Sequence, residues 1–288
     1  MSKSPHRIKL SSPAKVNLFL HVTGRRDDGY HNLITLMCGI GLSDTITLNF
    51  PSDTRQTSIT CSHPDVPEDA TNLAMQAANL FFESASLPHS VQIHIEKRIP
   101  VGAGLGGGSS NAATVLTALN RRFGSPIKRE DLMRLGLSIG ADVPFFIFGK
   151  PALASGIGER LRTFEGLEPY PIVVIFPRIG ISTATVYKNL NLTLTKYKNK
   201  HSGSFLDNRK LSIEHDLSND LEAAATALYP NILSIKNKLL RIGAAASVMS
   251  GSGSSVFGIF RDKTAAHRAW TELSRNESWE VFLTELTV

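Results

Sequence analysis

Cysteine is nearly absent from this sequence, with only Cys38 and Cys61 among 288 residues. Two cysteines cannot build the bridge framework of a small secreted domain, and they fit a chain of the reducing cytoplasm. Long apolar runs are missing as well. A run such as Ile172–Phe176 falls far short of the roughly 20 residues that cross a bilayer. The opening residues, MSKSPHRIKL, carry no apolar segment of a secretory leader. Nine histidines are present, yet none pair as H-x-x-x-H or at Cys/His zinc spacing, which argues against a zinc site. Aromatic residues make up 7%, charged residues 19% and hydrophobic residues 42%, with a mean hydropathy of −0.04. That balance excludes a disordered or fibrous chain.

Positive charge is in surplus. The net charge of +6 and an isoelectric point near 9.4 favour anionic partners. They do not separate nucleic acid from small phosphorylated ligands.

Hydrophobic periodicity predicts mixed α and β structure. Residues 8–22 read as a strand in which Lys15 and Asn17 share one face. The polar turn 25–29 then delivers Tyr30 and His31. Further strands are expected at 45–50, 91–95, 172–176 and 256–260. Helices are expected at 72–85, 129–138, 217–228, 231–242 and 264–275, and a helix stripe runs through Ala112, Val115, Leu116 and Leu119. Ser109 or Ser110 is the expected cap of that last helix, and Pro144 is expected to block continuation of the helix that ends at Gly140. Residues 150–170 read as loop and 191–215 as a polar surface excursion, with a domain boundary near 150–165.

The densest chemical signal is PVGAGLGGGSSNAA at 100–113. Glycines permit positive φ and close backbone approach. A helix start adds unpaired N–H groups and a partial positive charge, so the loop reads as a phosphate cradle rather than a slack surface loop. It is not a Walker A loop, because no Gly-Lys-Ser/Thr closes it. Gly102, Gly104 and Gly107 fit the dinucleotide fingerprint only by glycine density, since Lys97-Arg98-Ile99-Pro100 precedes them in place of a buried strand. No HRD or DFG marks a protein kinase. Gly136-Leu-Ser138-Ile-Gly140 matches a nucleophile elbow, but it sits in a helical pattern. A second Gly/Ser loop spans 250–255.

Taken together, the segments SPAKVNLFLHVTGRRDDGYHNL (12–33), PVGAGLGGGSSNAA (100–113), GADVPFF (140–146), GISTATVYK (180–188), LSNDLE (217–222) and SGSGSSVFG (250–258) resemble the GHMP kinase superfamily. Within it they are most similar to the members that act on a cytidine-diphosphate-capped methylerythritol in the non-mevalonate isoprenoid route. They span nearly the whole chain; 51–70 and 191–215 add nothing to the likeness. One departure is Ala103, where the pattern more often has glycine.

The resemblance implies an α+β two-domain fold. Residues 1–158 would form a ribosomal S5 domain-2-like part with the ATP loop, and 159–288 a ferredoxin-like part. It also implies ATP-dependent phosphorylation of the substrate's 2-hydroxyl, with Mg²⁺ on phosphate oxygens touching Ser109. Asp142 would be the general base, and Lys15 would orient it and stabilise the alkoxide. ATP would meet Lys97, Pro100, Val101, Gly102, Ala103, Gly104, Leu105, Gly106, Gly107, Gly108, Ser109 and Ser110. Tyr30, His31 and Tyr187 would hold the cytidine, with Tyr30 and Tyr187 as its two stacking faces. Asn17, Thr183 and Asp142 would be further substrate contacts. Another GHMP kinase, of mevalonate, homoserine or sugar type, would share the loops but not need Gly29-Tyr30-His31. The basic clusters Arg121-Arg122 and Lys196, Lys198, Lys200 offer weak support for a nucleic-acid module.

Overall fold

The computed structural model describes residues 6–51, 56–88, 91–191 and 210–288. They form two compact units that interleave along the chain. The first takes residues up to Ala14, Ser43–Val101 and Gly106–Gly149; the second takes Lys15–Leu42, Gly102–Leu105 and Lys150–Val288. Two long strands, β1 (Arg7–Arg25) and β2 (His31–Asn49), contribute residues to both.

In the first unit, β2 pairs antiparallel with β4 (Gln92–Glu96), and β4 pairs parallel with β3 (Ser58–Cys61). The register sets Ile46 opposite Ile95, and both Leu48 and Ile59 opposite Ile93. These apolar residues face the core, as period-two alternation requires. Helices α1 (Leu73–Ser84) and α2 (Gly107–Arg122) pack on them through Phe81, Phe82, Val115, Leu116 and Leu119. Asn72 caps α1 by accepting from Ala74 N–H at 2.9 Å. Gly124, with φ +81°, lies just past α2.

Helix α3 (Arg129–Ile139) stops at Gly140 as expected, but a further short helix, α4 (Val143–Phe148), begins at once. Pro144 sits in its first turn, where a missing N–H costs nothing. The serine cap expected for α2 is not formed. Its N-cap is Gly106 at φ +72°, and the helix carries no side-chain cap, because Ser109 and Ser110 lie inside it.

In the second unit the sheet order is β2, β11 (Glu280–Thr287), β7 (Pro171–Phe176), β10 (Val256–Ile259) and β9 (Ala246–Met249). Residues 150–170, expected as loop, hold the hairpin β5 (Ala152–Gly156) and β6 (Arg160–Thr163), with β5 paired to β2. Small residues such as Ala152 and Ala154 give that strand little apolar signal, yet both are buried. Helix α5 (Thr183–Lys188) follows β7.

The helix expected over 217–228 is split. The bridge β8 (Ser218–Asn219) pairs parallel with β1, and α6 starts only at Glu222 and ends at Leu228. With α7 (Asn231–Arg241) and α8 (Lys263–Leu273), it closes a core around Val173, Ile175, Leu239 and Phe260. Most of the 191–215 excursion, with Lys196, Lys198 and Lys200, lies outside the described residues. No helix among the described residues is long and apolar enough to cross a membrane.

Candidate active site

In the second unit, the pleat of β1 places Lys15 and Asn17 on one face, and each is 3% exposed. A buried ammonium is tolerable only where acceptors meet it. Lys15 Nζ donates to Asn17 Oδ1 at 2.6 Å. Asn17 Nδ2 donates to Thr35 Oγ1 at 2.9 Å, and that hydroxyl donates to the Phe19 carbonyl at 2.5 Å. The Asn17 N–H reaches Ser250 Oγ at 3.4 Å, and the Ser250 hydroxyl donates to the Gly104 carbonyl at 3.0 Å.

The middle of the first glycine loop is thus laced into this unit. Lys15 N–H donates to the Leu105 carbonyl at 3.0 Å, Ser255 N–H to Ala103 at 3.1 Å and Ile181 N–H to Gly102 at 3.2 Å. Gly104 has no substitute: φ is +75°, and a Cβ would stand 2.2 Å from the Ser250 carbonyl oxygen. Ala103 needs no glycine, because the positive φ values fall on Gly102 and Gly104 beside it.

The same unit carries the expected cytidine residues. The turn before β2 is tied by Arg26 N–H to the Tyr30 carbonyl at 2.8 Å and has Gly29 at φ +88°. Asp28 accepts from Tyr30 N–H at 3.1 Å. The Arg26 guanidinium beside Asp28 holds that carboxyl below its usual range. His31 stacks on Tyr187 with centroids 4.9 Å apart and planes at 28°.

Tyr30, the residue before His31, is 57% exposed. Partial burial, and next the Arg25 charge, lower the His31 pKa. Thr183, one helical turn before Tyr187, shares a hydroxyl hydrogen bond of 2.9 Å with Ser252.

The first unit holds the two ends of the glycine loop. Lys97, whose side chain is 5% exposed, pairs at 2.8 Å with the fully buried Asp44 and also donates to the Ile99 carbonyl. The other oxygen of Asp44 accepts from the N–H groups of Arg98 and Ile99, each at 2.8 Å. Asp44 therefore clips the chain that enters the loop. The Lys97 ammonium lies against the start of α2, only 3.0 Å from where a Gly107 Cβ would stand. That helix start has no side-chain cap, and a helix start with free first-turn N–H groups is able to receive an anion.

Within the loop, Ala103, Leu105 and Ser110 have buried side chains, whereas Val101, Gly102 and Gly108 are exposed. The Ser110 hydroxyl is engaged with Ser12 at 2.8 Å, and Ser12 also donates to Asn111 at 2.8 Å. Ser109 Oγ lies 3.5 Å from where a Gly140 Cβ would stand. Asp142, half-buried, occupies the N-cap position of α4, but its side chain makes no capping bond.

Other sequence signals resolve plainly. Ser138 lies within α3 and donates to the Leu135 carbonyl at 2.7 Å, so it is no nucleophile elbow. Arg122 lies over the Phe50 ring, 4.7 Å from its centroid. Among the described residues, no group of three or more His, Cys, Asp or Glu could hold a metal ion. Asp44, Thr35 and Ser250 were not singled out by sequence; only a search for an acid to partner Lys97 would have pointed to the first.

Known proteins carry the same arrangement of segments. Residues 72–150 match the GHMP kinases N terminal domain and residues 205–278 the GHMP kinases C terminal. The 4-diphosphocytidyl-2-C-methyl-D-erythritol kinase of Syntrophotalea carbinolica is 44% identical over 274 residues, covering 95% of this chain and 97% of its own. The chain belongs to the 4-diphosphocytidyl-2-C-methyl-D-erythritol kinase family.

The relative of that name from Syntrophus aciditrophicus is 42% identical over 278 residues, covering 96% of this chain and 98% of its own. A crystal structure of a 4-(cytidine 5'-diphospho)-2C-methyl-D-erythritol kinase superposes with a TM-score of 0.81 at 35% identity, covering 98% of this chain and 100% of that one. Homoserine kinase from Cytophaga hutchinsonii shares the fold, with a TM-score of 0.78 at 18% identity over 100% of this chain and 96% of its own. The α+β GHMP kinase fold expected from the sequence is therefore the fold of this family member.

Proposed function

We propose that this chain transfers the γ-phosphoryl group of ATP to the 2-hydroxyl of 4-diphosphocytidyl-2-C-methyl-D-erythritol, a step of the non-mevalonate isoprenoid route. The observation that carries this reading is the 44% identity over 95% of the chain to a relative of that name.

Phosphoryl transfer asks a protein mainly for positioning and charge neutralisation. Asp142 accepts the proton of the attacking hydroxyl. Lys15, fixed by Asn17, orients that carboxylate and lowers the energy of the developing alkoxide. The backbone of Pro100–Ser110 and the uncapped start of α2 bind the phosphates, with the Lys97 ammonium adding positive charge beside Gly107. Mg²⁺ takes hard oxygen donors and neutralises phosphate charge. Ser109 offers such an oxygen and would be the residue that meets it.

Tyr187, His31 and Tyr30 form the cytidine pocket, with Asn17 and Thr183 as further substrate contacts. Residues 1–158 are the amino-terminal GHMP kinase domain with the ATP loop, and 159–288 the carboxy-terminal one. Both cysteines are free thiols, in keeping with a reducing cytoplasm.

Product analysis tests the reaction. The 2-hydroxyl sits on a carbon that bears a methyl group and no hydrogen. Its phosphate ester is expected as a phosphorus-31 resonance without three-bond proton coupling. A proton-coupled monoester signal would place the transfer on another hydroxyl.

A further inference from the structure

Asn219 lies on the two-residue strand β8, opposite Leu20 of β1. Its side chain uses every polar atom. Nδ2 donates to the carbonyls of Met249 at 2.8 Å and Gly251 at 2.7 Å, and Oδ1 accepts from Leu221 N–H at 2.9 Å. The two carbonyls flank Ser250, so one carboxamide sets both peptide orientations at the entrance of the second Gly/Ser loop.

What that loop touches gives the clamp its meaning. Gly251 stands at φ +55°, and a Cβ there would lie 3.3 Å from Lys15 Nζ, 3.4 Å from Asn17 Oδ1 and 3.1 Å from the Gly104 carbonyl oxygen. Ser250 hydrogen-bonds to both Asn17 N–H and Gly104. The backbone that Asn219 holds is therefore the wall against which the Lys15 ammonium rests. The clamp is itself anchored to β1. Asp220 N–H donates to the Leu20 carbonyl at 2.9 Å, and Asp220 Oδ2 accepts from Val22 N–H at 2.9 Å.

We propose that Asn219 is a positioning residue for phosphoryl transfer: its carboxamide fixes Gly251 beside Lys15 and so sets where the ammonium stands. This inference rests on the kinase reading above. Asn219 needs no contact with either substrate. It acts by excluding loop positions in which Lys15 loses its place, and displacement of a charged group by about 1 Å is enough to cost orders of magnitude in turnover.

Asn219→Asp is nearly isosteric and keeps the acceptor for Leu221 N–H. Ionised, it sets a carboxylate against two carbonyl oxygens and can donate to neither. Asn219→Ala removes the clamp without adding charge. Steady-state kinetics with ATP and 4-diphosphocytidyl-2-C-methyl-D-erythritol, alongside thermal unfolding of the same samples, test the proposal.

The expected result is a fall in kcat of about 10- to 100-fold for both variants. KM values should stay within about threefold and each variant should remain folded at the assay temperature. As pH falls, the Asp variant should recover relative to wild type, because a protonated carboxyl can donate again; the Ala variant should not. Wild-type kcat in both variants overturns the proposal. So does a loss of rate that merely follows the loss of folded protein, or one carried by KM alone. A wild type that does not turn over this substrate at all overturns the kinase reading, and the positioning role falls with it.

Discussion

The ammonium of Lys15 donates to Oδ1 of Asn17 at 2.6 Å, two residues along the same strand, with both side chains almost wholly buried. Asn17 is tied in turn to Thr35 and to Ser250. A lysine carried on a flexible four-carbon stem is thereby given a defined position before any substrate arrives. That is the preorganisation phosphoryl transfer draws on.

Asn17→Leu keeps the volume and removes the acceptor. It is expected to lower kcat by roughly one to two decades. It should also destabilise the fold by about 1–3 kcal/mol, because a buried donor loses its partner. Steady-state kinetics and urea denaturation read the two effects separately. Unchanged kcat would show that the bond does not place the ammonium.

Asp142→Asn preserves shape and removes the proposed proton acceptor. Turnover is expected to fall by about 10² to 10⁴, with the fold and ATP affinity retained. Rapid-quench measurement of a single turnover isolates the chemical step. Turnover within a factor of about three of wild type would remove Asp142 from the role of base.

Asp44→Ala strips the buried Lys97 of its carboxylate and two backbone N–H groups of their acceptor. Removing one partner of a buried pair leaves an uncompensated charge, so a loss of about 3–5 kcal/mol is expected in equilibrium unfolding. ATP affinity should fall as well, since the clipped residues lead into the proposed phosphate loop. A loss under about 1 kcal/mol would mean that the ion pair is dispensable.

His31 titrates below its ordinary value of 6.5, chiefly because it is partly removed from water, with Arg25 adding to the shift. Since the folded value is depressed, the neutral ring contributes to stability above pH 6.5, and that contribution is lost as pH falls through the lowered value. The KM for the cytidine substrate is expected to rise over the same acid range, as His31 gains charge against Tyr187. Following the His31 ring proton by NMR gives the midpoint directly. A midpoint at or above 6.5 would contradict the assignment.

Much of this was legible in the sequence, for identifiable reasons. The α2 stripe of Ala112, Val115, Leu116 and Leu119 repeats cleanly because one face of the helix is core. Lys15 and Asn17 fall on one face because a strand has period two. The first part of β2 was not legible. Leu36–Cys38 are buried without alternation, and Gly39 and Gly41 interrupt the apolar pattern. Gly41 is instead a close approach, its absent Cβ only 2.9 Å from Thr284 Oγ1 of β11. Asp44 meets Lys97 across 53 positions of chain, a pairing no local pattern reveals. His31 and Tyr187, which the resemblance put around one ligand, lie 156 positions apart in the chain and stack on one another.

The most direct measurement of substrate identity is a coupled ADP-release assay run side by side on 4-diphosphocytidyl-2-C-methyl-D-erythritol and on 2-C-methyl-D-erythritol 4-phosphate. If the pocket of His31 and Tyr187 reads the cytidine, the capped substrate should be used with a kcat/KM at least about 100-fold higher. A difference of that size corresponds to about 2.7 kcal/mol of recognition by stacking and base-edge hydrogen bonds. Equal use of the two compounds would contradict the cytidine assignment and leave a kinase for small alcohols in general.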